Sequence, residues 1–472
     1  MLARIYPRLT QGGAETEILH LLGAWPGTRM IVTHDAGTRA EQARVWSDVR
    51  ILEPQDRWRQ LCEALDGVHT AHLHCINHHL GFALMAQLAG VTRIMQTVHN
   101  AMAPESEALV DHQIVPSQAV ADLQDEAILG AVVPSGVSVP KHLVPFNPWH
   151  RAHRRPRLVE IRRPGKEMAF DLSELVASGA LGEVELWVIG VEGSSCGRVR
   201  YFGEIKDPRR LLSRCDVLVH ASATESYGRT PREAMALGVI PAVTALPAFT
   251  EAFDSKDVAF LPMDSAGAAK VLRDLLASLQ ASPEMHAGWR RRNFIRVGTR
   301  ESVQVMVDAH KRWYSWAPVR DRLIRPDELR DPRSTASRVG RILDGQAPEK
   351  LGALDPAEQG LTLWLLAHEG RLPQDQIVLA LEKANTLLPE RFVILRDLGA
   401  ARLEAGDATG AMELLEKAVK IRPASRSTRM LQVQAALATG GPRLALIAAE
   451  QGALATGGED LRQIGERLRK AA

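Results

Sequence analysis

Short apolar runs alternate with amphipathic stretches over the first three hundred or so residues, and the pattern then becomes helical alone. Met30–Thr33, Val49–Leu52, Ala71–His74, Arg93–Val98 and Gln113–Val115 read as strands. Ala14–Leu22, His79–Ala89 and Ala119–Leu123 read as helices between them. Strand and helix in strict alternation predict a parallel sheet covered on both faces. After residue 130 the texture changes. Val132–Val137 reads as strand and turn, then come prolines at 140, 145, 148 and 156 and a basic run from His150 to Arg157. That composition suits an interdomain linker.

A second alternation follows. Leu158–Ile161, Val184–Ile189, Val199–Phe202, Asp216–His220, Ile240–Val243 and Val258–Leu261 are strand candidates, with helices at Asp171–Ser178 and Pro208–Cys215. Residues 266–281 and 284–316 read as helices, the second long and carrying Trp289, Trp313, Tyr314 and Trp316. Residues 317–350 are rich in Pro, Arg and Asp and read as a linker, so the chain beyond residue 320 is expected to be separable. In the remainder, Ala380–Pro389 recurs as Leu414–Pro423 at an offset of 34 residues, the tetratricopeptide period. The expected domains are 1–148, joined by a crossover helix at 301–316, then 149–300, a linker at 317–350, and helical repeats over 351–472. The expected fold class is α/β, two Rossmann-like parallel-sheet domains, followed by an all-α repeat domain.

One stretch stands out chemically. The apolar strand ending at His220 runs into Glu225-Ser226-Tyr227-Gly228-Arg229-Thr230-Pro231-Arg232-Glu233 and then an apolar helix. Thr230 suits the N-cap and Pro231 the first helical position. Free N–H groups and the helix dipole make such a loop a ready anion site. Glu225 and Glu233 flank it and can accept hydrogen bonds from sugar hydroxyls. A pocket for a sugar nucleotide fits, and so does an ordinary strand-loop-helix with a surface carboxylate pair.

Composition narrows the class. The chain has 472 residues, 45% of them hydrophobic and 24% charged, which is typical of a globular protein with real cores. Its net charge of +2 argues against nucleic acid as a partner. The four cysteines, Cys62, Cys75, Cys196 and Cys215, form no CxxC pair and suit reduced thiols in the cytosol. Neither a signal peptide nor a run of about 18 apolar residues is evident.

Other polar clusters are less specific. Gly12 and Gly13, in Gln11-Gly12-Gly13-Ala14-Glu15, would let a ligand approach the backbone closely, though paired glycines also serve as a plain turn. His72 and His74 share one face of a strand. With Cys75, His78 and His79 they raise a metal site, which no second cluster of ligand spacing supports. His99 closes a strand and is followed by Asn100, a place suited to function or to structure. Arg162, Arg163 and Lys166 follow the first strand of the second half, where cations would meet a diphosphate. The basic run at 150–157 suits solvated surface or contact with an anionic membrane or acidic acceptor.

Taken together, residues 1–316 resemble the family 4 retaining glycosyltransferases of the GT-B fold. The motif Glu225-(seven residues)-Glu233 inside ESYGRTPREAMALG looks like that family's signature. Val199–Gly203 and Leu211–Ser222 resemble its lead-in, Gly12–Glu15 its first glycine loop, and Thr97–Asn100 its histidine-bearing strand end. Ile114–Ser117 and Pro134–Val137 resemble two further landmarks.

The resemblance implies a nucleoside-diphosphate sugar donor, transfer to a hydroxyl acceptor with retention, and no metal or other cofactor. It implies that Glu233 holds the ribose, Glu225 contacts the sugar, and Tyr227, Gly228, Arg229 and Thr230 face sugar and diphosphate. Gly12, Gly13 and Gly190 join the donor site, Arg162 and Lys166 neutralise the leaving diphosphate, and His99 stands near the sugar and the acceptor. A glycan or lipid-linked acceptor, a protein partner on the repeats, and a cytoplasmic place with peripheral contact at the inner face of the membrane complete the expectation. Departures are the short Arg162-to-Lys166 spacing, Ser135 where asparagine is common, and Ala245–Glu251, which leaves the role of Glu251 open. The competing functions are an inactive adaptor working through its repeats, and a GT-B phosphorylase or epimerase. Protein O-GlcNAc transfer fits less well, because there the repeats precede the catalytic part.

Overall fold

A computed structural model of the chain describes residues 1–10, 12–24, 28–75, 79–99, 109–124, 132–143, 155–316 and 319–471. Gln11, His78, Asn100 and the basic residues 150–154 lie outside the described residues, as do the side chains of Cys75, His79 and Trp316. The chain divides into two units. One comprises Met1–Ile114, Leu123–Ala131 and Trp316–Ala472, the other Val115–Asp122 and Val132–Ser315.

The first unit holds β1 (Leu2–Ile5), β2 (Thr28–Thr33), β3 (Asp48–Ile51), β4 (Thr70–Cys75), β5 (Arg93–Val98) and β6 (His112–Ile114) in the order β3-β2-β1-β4-β5-β6. All its neighbouring strands are parallel. The second unit holds β7 (Arg157–Ile161), β8 (Glu185–Ile189), β9 (Val199–Tyr201), β10 (Val217–His220), β11 (Ile240–Thr244) and β12 (Ala259–Leu261) in the order β12-β11-β10-β7-β8-β9. Its pairings are parallel as well. The inner strands are buried along their length, which is why they read as unbroken apolar runs. In each sheet the order of strand addition reverses once, between β1 and β4 and between β7 and β10. At such a switch point the loops leaving the carboxyl ends diverge and open a crevice.

In the first unit one core is shared by the sheet and the C-terminal helices. Ile5, Val32, Leu73 and Ile94 of the sheet join Trp58, Phe82, Leu323, Ile324, Val339, Ile342, Trp364 and Phe392 in a single apolar cluster. The stretch read as a linker is therefore structural where it is described. Arg322 makes a two-pronged ion pair with the fully buried Asp111 (2.7 and 2.8 Å). Gln87 Oε1 accepts from the N–H groups of Leu323 and Ile324. The helix Pro332–Leu343 then packs on the helix Arg57–Ala64, with Gly340 against Trp58. Proline, arginine and aspartate suggested solvent exposure. Here they cap and pin a buried amphipathic helix whose N-cap is Asp331.

Beyond it come Pro356–His368, Gln374–Leu387, Phe392–Glu404, Ala408–Ile421, Arg426–Ala438, Pro442–Thr456 and Glu459–Ala471, each packed on the next. The starts of the helices at 374, 408 and 442 are spaced by 34 residues, as are those at 392 and 426. Gly399 sits where a Cβ would come within 2.8 Å of Leu415 Cγ, so the glycine lets two helices close on each other.

In the second unit, the expected single helix at 284–316 is two: Pro283–Arg300 and Val303–Trp316. At the break, Val137 takes over the backbone bonding, donating to Glu301 and accepting from Val303. Glu301 is buried and ion-paired with Arg232. The second of these helices, expected with the N-terminal domain, lies in the second unit as far as Ser315. Residues 132–137 form isolated bridges at Val132 and Val137 rather than a strand.

Candidate active site

The switch point of the second sheet gathers most of the residues singled out from the sequence. β7 delivers Arg162, Arg163 and Lys166, and β10 delivers Glu225. Glu225 Oε2 accepts from Lys166 Nζ at 2.8 Å and from His220 Nε2 at 3.0 Å. Burial alone would push this carboxyl up. The His220 hydrogen bond and the Lys166 charge outweigh that and hold it far below the usual carboxylate range. Burial lowers the His220 pKa, so the ring is neutral and its Nε2 carries the proton given to Glu225.

Arg162 and Lys166 part company. Arg162 is bound to the buried Glu160 (2.7 Å) and to Asp171 (3.3 Å). Burial pushes the Glu160 carboxyl up to about 7 against the pull of Arg162. Arg163 is exposed, and its charge reaches His220. Gly190, at the end of β8, has φ +97°, and a Cβ there would stand 2.1 Å from the carbonyl oxygen of Arg162. Its missing side chain thus serves the packing of the β7 loop.

The helix after the loop begins earlier than expected, running Arg229–Ala236. Gly228, in the left-handed region at φ +76°, takes the cap position, and Thr230 and Pro231 lie inside the first turn. Gly228 is obligatory twice over: a Cβ would also meet Phe249 Cε1 at 2.0 Å. Glu233 Oε1 accepts from Arg229 Nε at 2.8 Å, and Arg229 reaches Ser135 Oγ at 3.4 Å. Arg232, seen in the sequence only as a first-turn residue, is buried. It stacks over the Tyr227 ring at 3.7 Å, donates to the carbonyls of Tyr227 and Gly228, and pairs with Glu301 at 2.8 Å. Tyr227 is thereby packed inside. Ser117 donates to the Ser226 carbonyl at 2.6 Å. Glu251 accepts from the N–H groups of Gln118 and Ala119 (2.9 and 2.6 Å), which gives it a capping role.

The first unit has its own polar group at its switch point. Gly12 precedes the helix Gly13–Ala24, and its carbonyl accepts from Thr16 Oγ1 at 2.6 Å. A Cβ on Gly12 would crowd Glu15 Oε2 at 2.4 Å. Glu15 in turn accepts from Thr10. His99 follows β5, with Nε2 3.3 Å from His74 Nδ1. Burial lowers the His99 pKa, and the charges of Glu17 and Glu15 oppose that shift. Glu17, His74 and His99 offer ligand-type atoms within 4.8 Å of one another, a set that shares only His74 with the His72, His74, Cys75, His78 and His79 group suggested by spacing.

His220 and Arg232 are the residues that spacing missed. The available signal was a histidine ending an apolar strand directly ahead of an acidic loop.

Residues 196–293 match the family model "Glycosyl transferases group 1". No curated protein sequence matches the chain. Among solved structures it is similar to Anabaena HepE in complex with UDP (16% identity, covering 66% of this chain and 99% of that one, TM-score 0.54). It is similar to a glycosyltransferase from Rickettsia africae (13%, 66% and 97%, TM-score 0.55). It is also similar to sucrose-phosphate synthase from Thermosynechococcus elongatus (14%, 67% and 98%, TM-score 0.53). The two parallel sheets therefore have the GT-B fold, and residues 196–293 of the second unit are similar to the glycosyl transferases group 1 family.

Proposed function

We propose that the protein is a retaining glycosyltransferase that needs no metal and moves a sugar from a nucleoside-diphosphate sugar to a hydroxyl acceptor. The observation that carries this reading is Glu225, held ionised by Lys166 and His220 at the switch point of the second sheet, just ahead of the helix Arg229–Ala236. A fixed carboxylate there accepts hydrogen bonds from donor-sugar hydroxyls, and Glu233 accepts those of the ribose. Backbone N–H groups of Gly228, Arg229 and Thr230, with Lys166, bind the diphosphate. Arg163 is the second cation, because Arg162 is engaged by Glu160 and Asp171. Gly12 and Gly13 bring backbone close to the donor, and His99 contacts the sugar.

Departure of the diphosphate breaks its bond to the anomeric carbon. The acceptor oxygen bonds to that carbon on the same face, and its proton passes to the departing diphosphate oxygen. Lys166 and the helix N-terminus lower the barrier by stabilising the charge that develops on the diphosphate. Ionised and doubly held, Glu225 positions the sugar rather than serving as a general base.

The acceptor is a glycan or lipid-linked glycan. The helices from residue 356 on are a tetratricopeptide-like surface for a protein partner, and the enzyme works in the cytoplasm, at the inner face of the membrane. Among the described residues no helix is long and apolar enough to cross a membrane.

Anabaena HepE has been captured with UDP and with UDP-glucose, which makes UDP-sugars the first donors to test. A thermal-shift screen against UDP-, GDP-, ADP- and dTDP-sugars should reveal one class that stabilises the chain, with slow donor hydrolysis. In calorimetry, Glu233→Ala should lose that binding with its fold retained. Wild-type affinity in that variant would sink the ribose assignment, and no shift with any donor would favour an adaptor.

A further inference from the structure

At the switch point of the first sheet, Arg4 on β1 is fully buried. Its Nη1 lies 2.9 Å from His72 Nδ1 and 2.9 Å from His74 Nε2. A guanidinium nitrogen has two hydrogens and no acceptor capacity. Both ring nitrogens facing it must therefore offer lone pairs, which determines where each ring keeps its proton. His72 holds it on Nε2 and gives it to Thr97 Oγ1 at 2.7 Å. His74 holds it on Nδ1, which faces His99 Nε2 at 3.3 Å with the two rings within 21° of parallel. His99 Nε2 is then the acceptor, and the neutral His99 ring carries its own proton on Nδ1.

The same geometry weighs against a metal at Glu17, His74 and His99, close as those atoms are. A bound cation would need a lone pair from His74. One is already used by Arg4, and the other position holds the proton. Ligation would also set a cation beside a buried guanidinium.

We propose that Arg4 and His74 are positioning residues that lock His99 in its Nδ1–H form, so that the ring meets its ligand as a donor at Nδ1. This rests on the reading of His99 as a residue that contacts the donor sugar.

The test uses the full chain labelled with 15N-histidine. Long-range 1H–15N spectra read the tautomer of each ring, and His99→Gln identifies the His99 signals. The expected result is a single Nδ1–H form of His99 in the wild type and a mixture in Arg4→Met. In transfer assays, His74→Leu should lower kcat about tenfold, the worth of roughly one hydrogen bond, with donor KM changed less than about twofold. His74→Asn should restore most of kcat, because its amide donates from the place of Nδ1. The His74 pair retains Arg4 and so carries the test if Arg4→Met does not fold. A His99 proton on Nε2 overturns the proposal, as does stoichiometric zinc in the purified chain with shifts of both His74 and His99. If His99→Gln keeps full activity while the wild-type tautomer is as expected, positioning stands and the role of His99 in the reaction falls.

Discussion

Arg162 and Arg163 are adjacent, equally basic and indistinguishable by spacing, yet they do different work. Arg162 neutralises the buried Glu160, and Arg163 faces solvent near His220. Arg162→Met should cost about 3 kcal/mol, because it strands a carboxyl inside the protein. Arg163→Met should leave the melting temperature almost unchanged and slow transfer. Melts paired with transfer rates decide the matter, and full activity in Arg163→Met would return the diphosphate role to Arg162.

Glu225 yields a signed pH effect. Its folded pKa is depressed, so the stability it contributes is complete above the unfolded value of about 4.3 and fades as pH falls below it. Lys166→Met removes one cause of that depression. In urea unfolding, the gap between wild type and Lys166→Met should be widest near pH 7, where Glu225 is ionised in both chains, and narrow as acid protonates Glu225 first in the variant and then in the wild type. A gap of unchanged size at a pH where Glu225 is protonated in both chains would show that Lys166 does not act through Glu225.

At the scale of elements, the helix Arg229–Ala236 shows how tertiary contacts shift a local signal. Thr230-Pro231 is a sound N-terminus by propensity. Yet Gly228 can adopt a positive φ, and Arg232 pulls the carbonyls of Tyr227 and Gly228 inward, so the helix starts two residues sooner. Gly228→Ala should cost about 1–2 kcal/mol from its backbone alone, more from the clash with Phe249, and should abolish donor binding. A variant that melts like wild type and binds donor normally would refute this account of the loop. The break at Glu301 has a similar origin: residues 284–316 have helical composition throughout, but Val137 and Arg232 compete for the backbone and side chain at that point.

At the scale of the whole molecule, the C-terminal helices complete the core of the first sheet. Leu323, Ile324, Leu329, Val339 and Ile342 are buried there. At about 2 kcal/mol each, they contribute on the order of 10 kcal/mol, comparable with the net stability of an ordinary domain. A chain ending at residue 320 should therefore aggregate or melt far below the full chain. Soluble yield and a thermal melt of that fragment test this, and a cooperative melt at the full-length temperature would show that the helices are dispensable.

Two sheets, their parallel strands and the 34-residue helical period were legible because each depends on periodic burial within a short window: unbroken apolar runs at β10 and β11, and Ala380–Pro389 repeated at Leu414–Pro423. Glu225, Glu233 and Lys166 could be singled out as candidates because loops at strand ends carry their polar residues openly in the order of the chain. The pairing of Lys166 with Glu225, the diversion of Arg162 to Glu160, the burial of Arg232 and the Arg4–His74–His99 chain were decided only by the tertiary structure. Apart from Arg162 and Glu160, which stand two residues apart at the end of β7, these contacts join residues from different strands or loops, and a hydrogen bond depends on distance and direction that spacing along the chain does not specify. The same holds for residues 317–350: their polar composition describes the solvent face of a helix, and what its other face covers is known only once the sheet beneath it is in place.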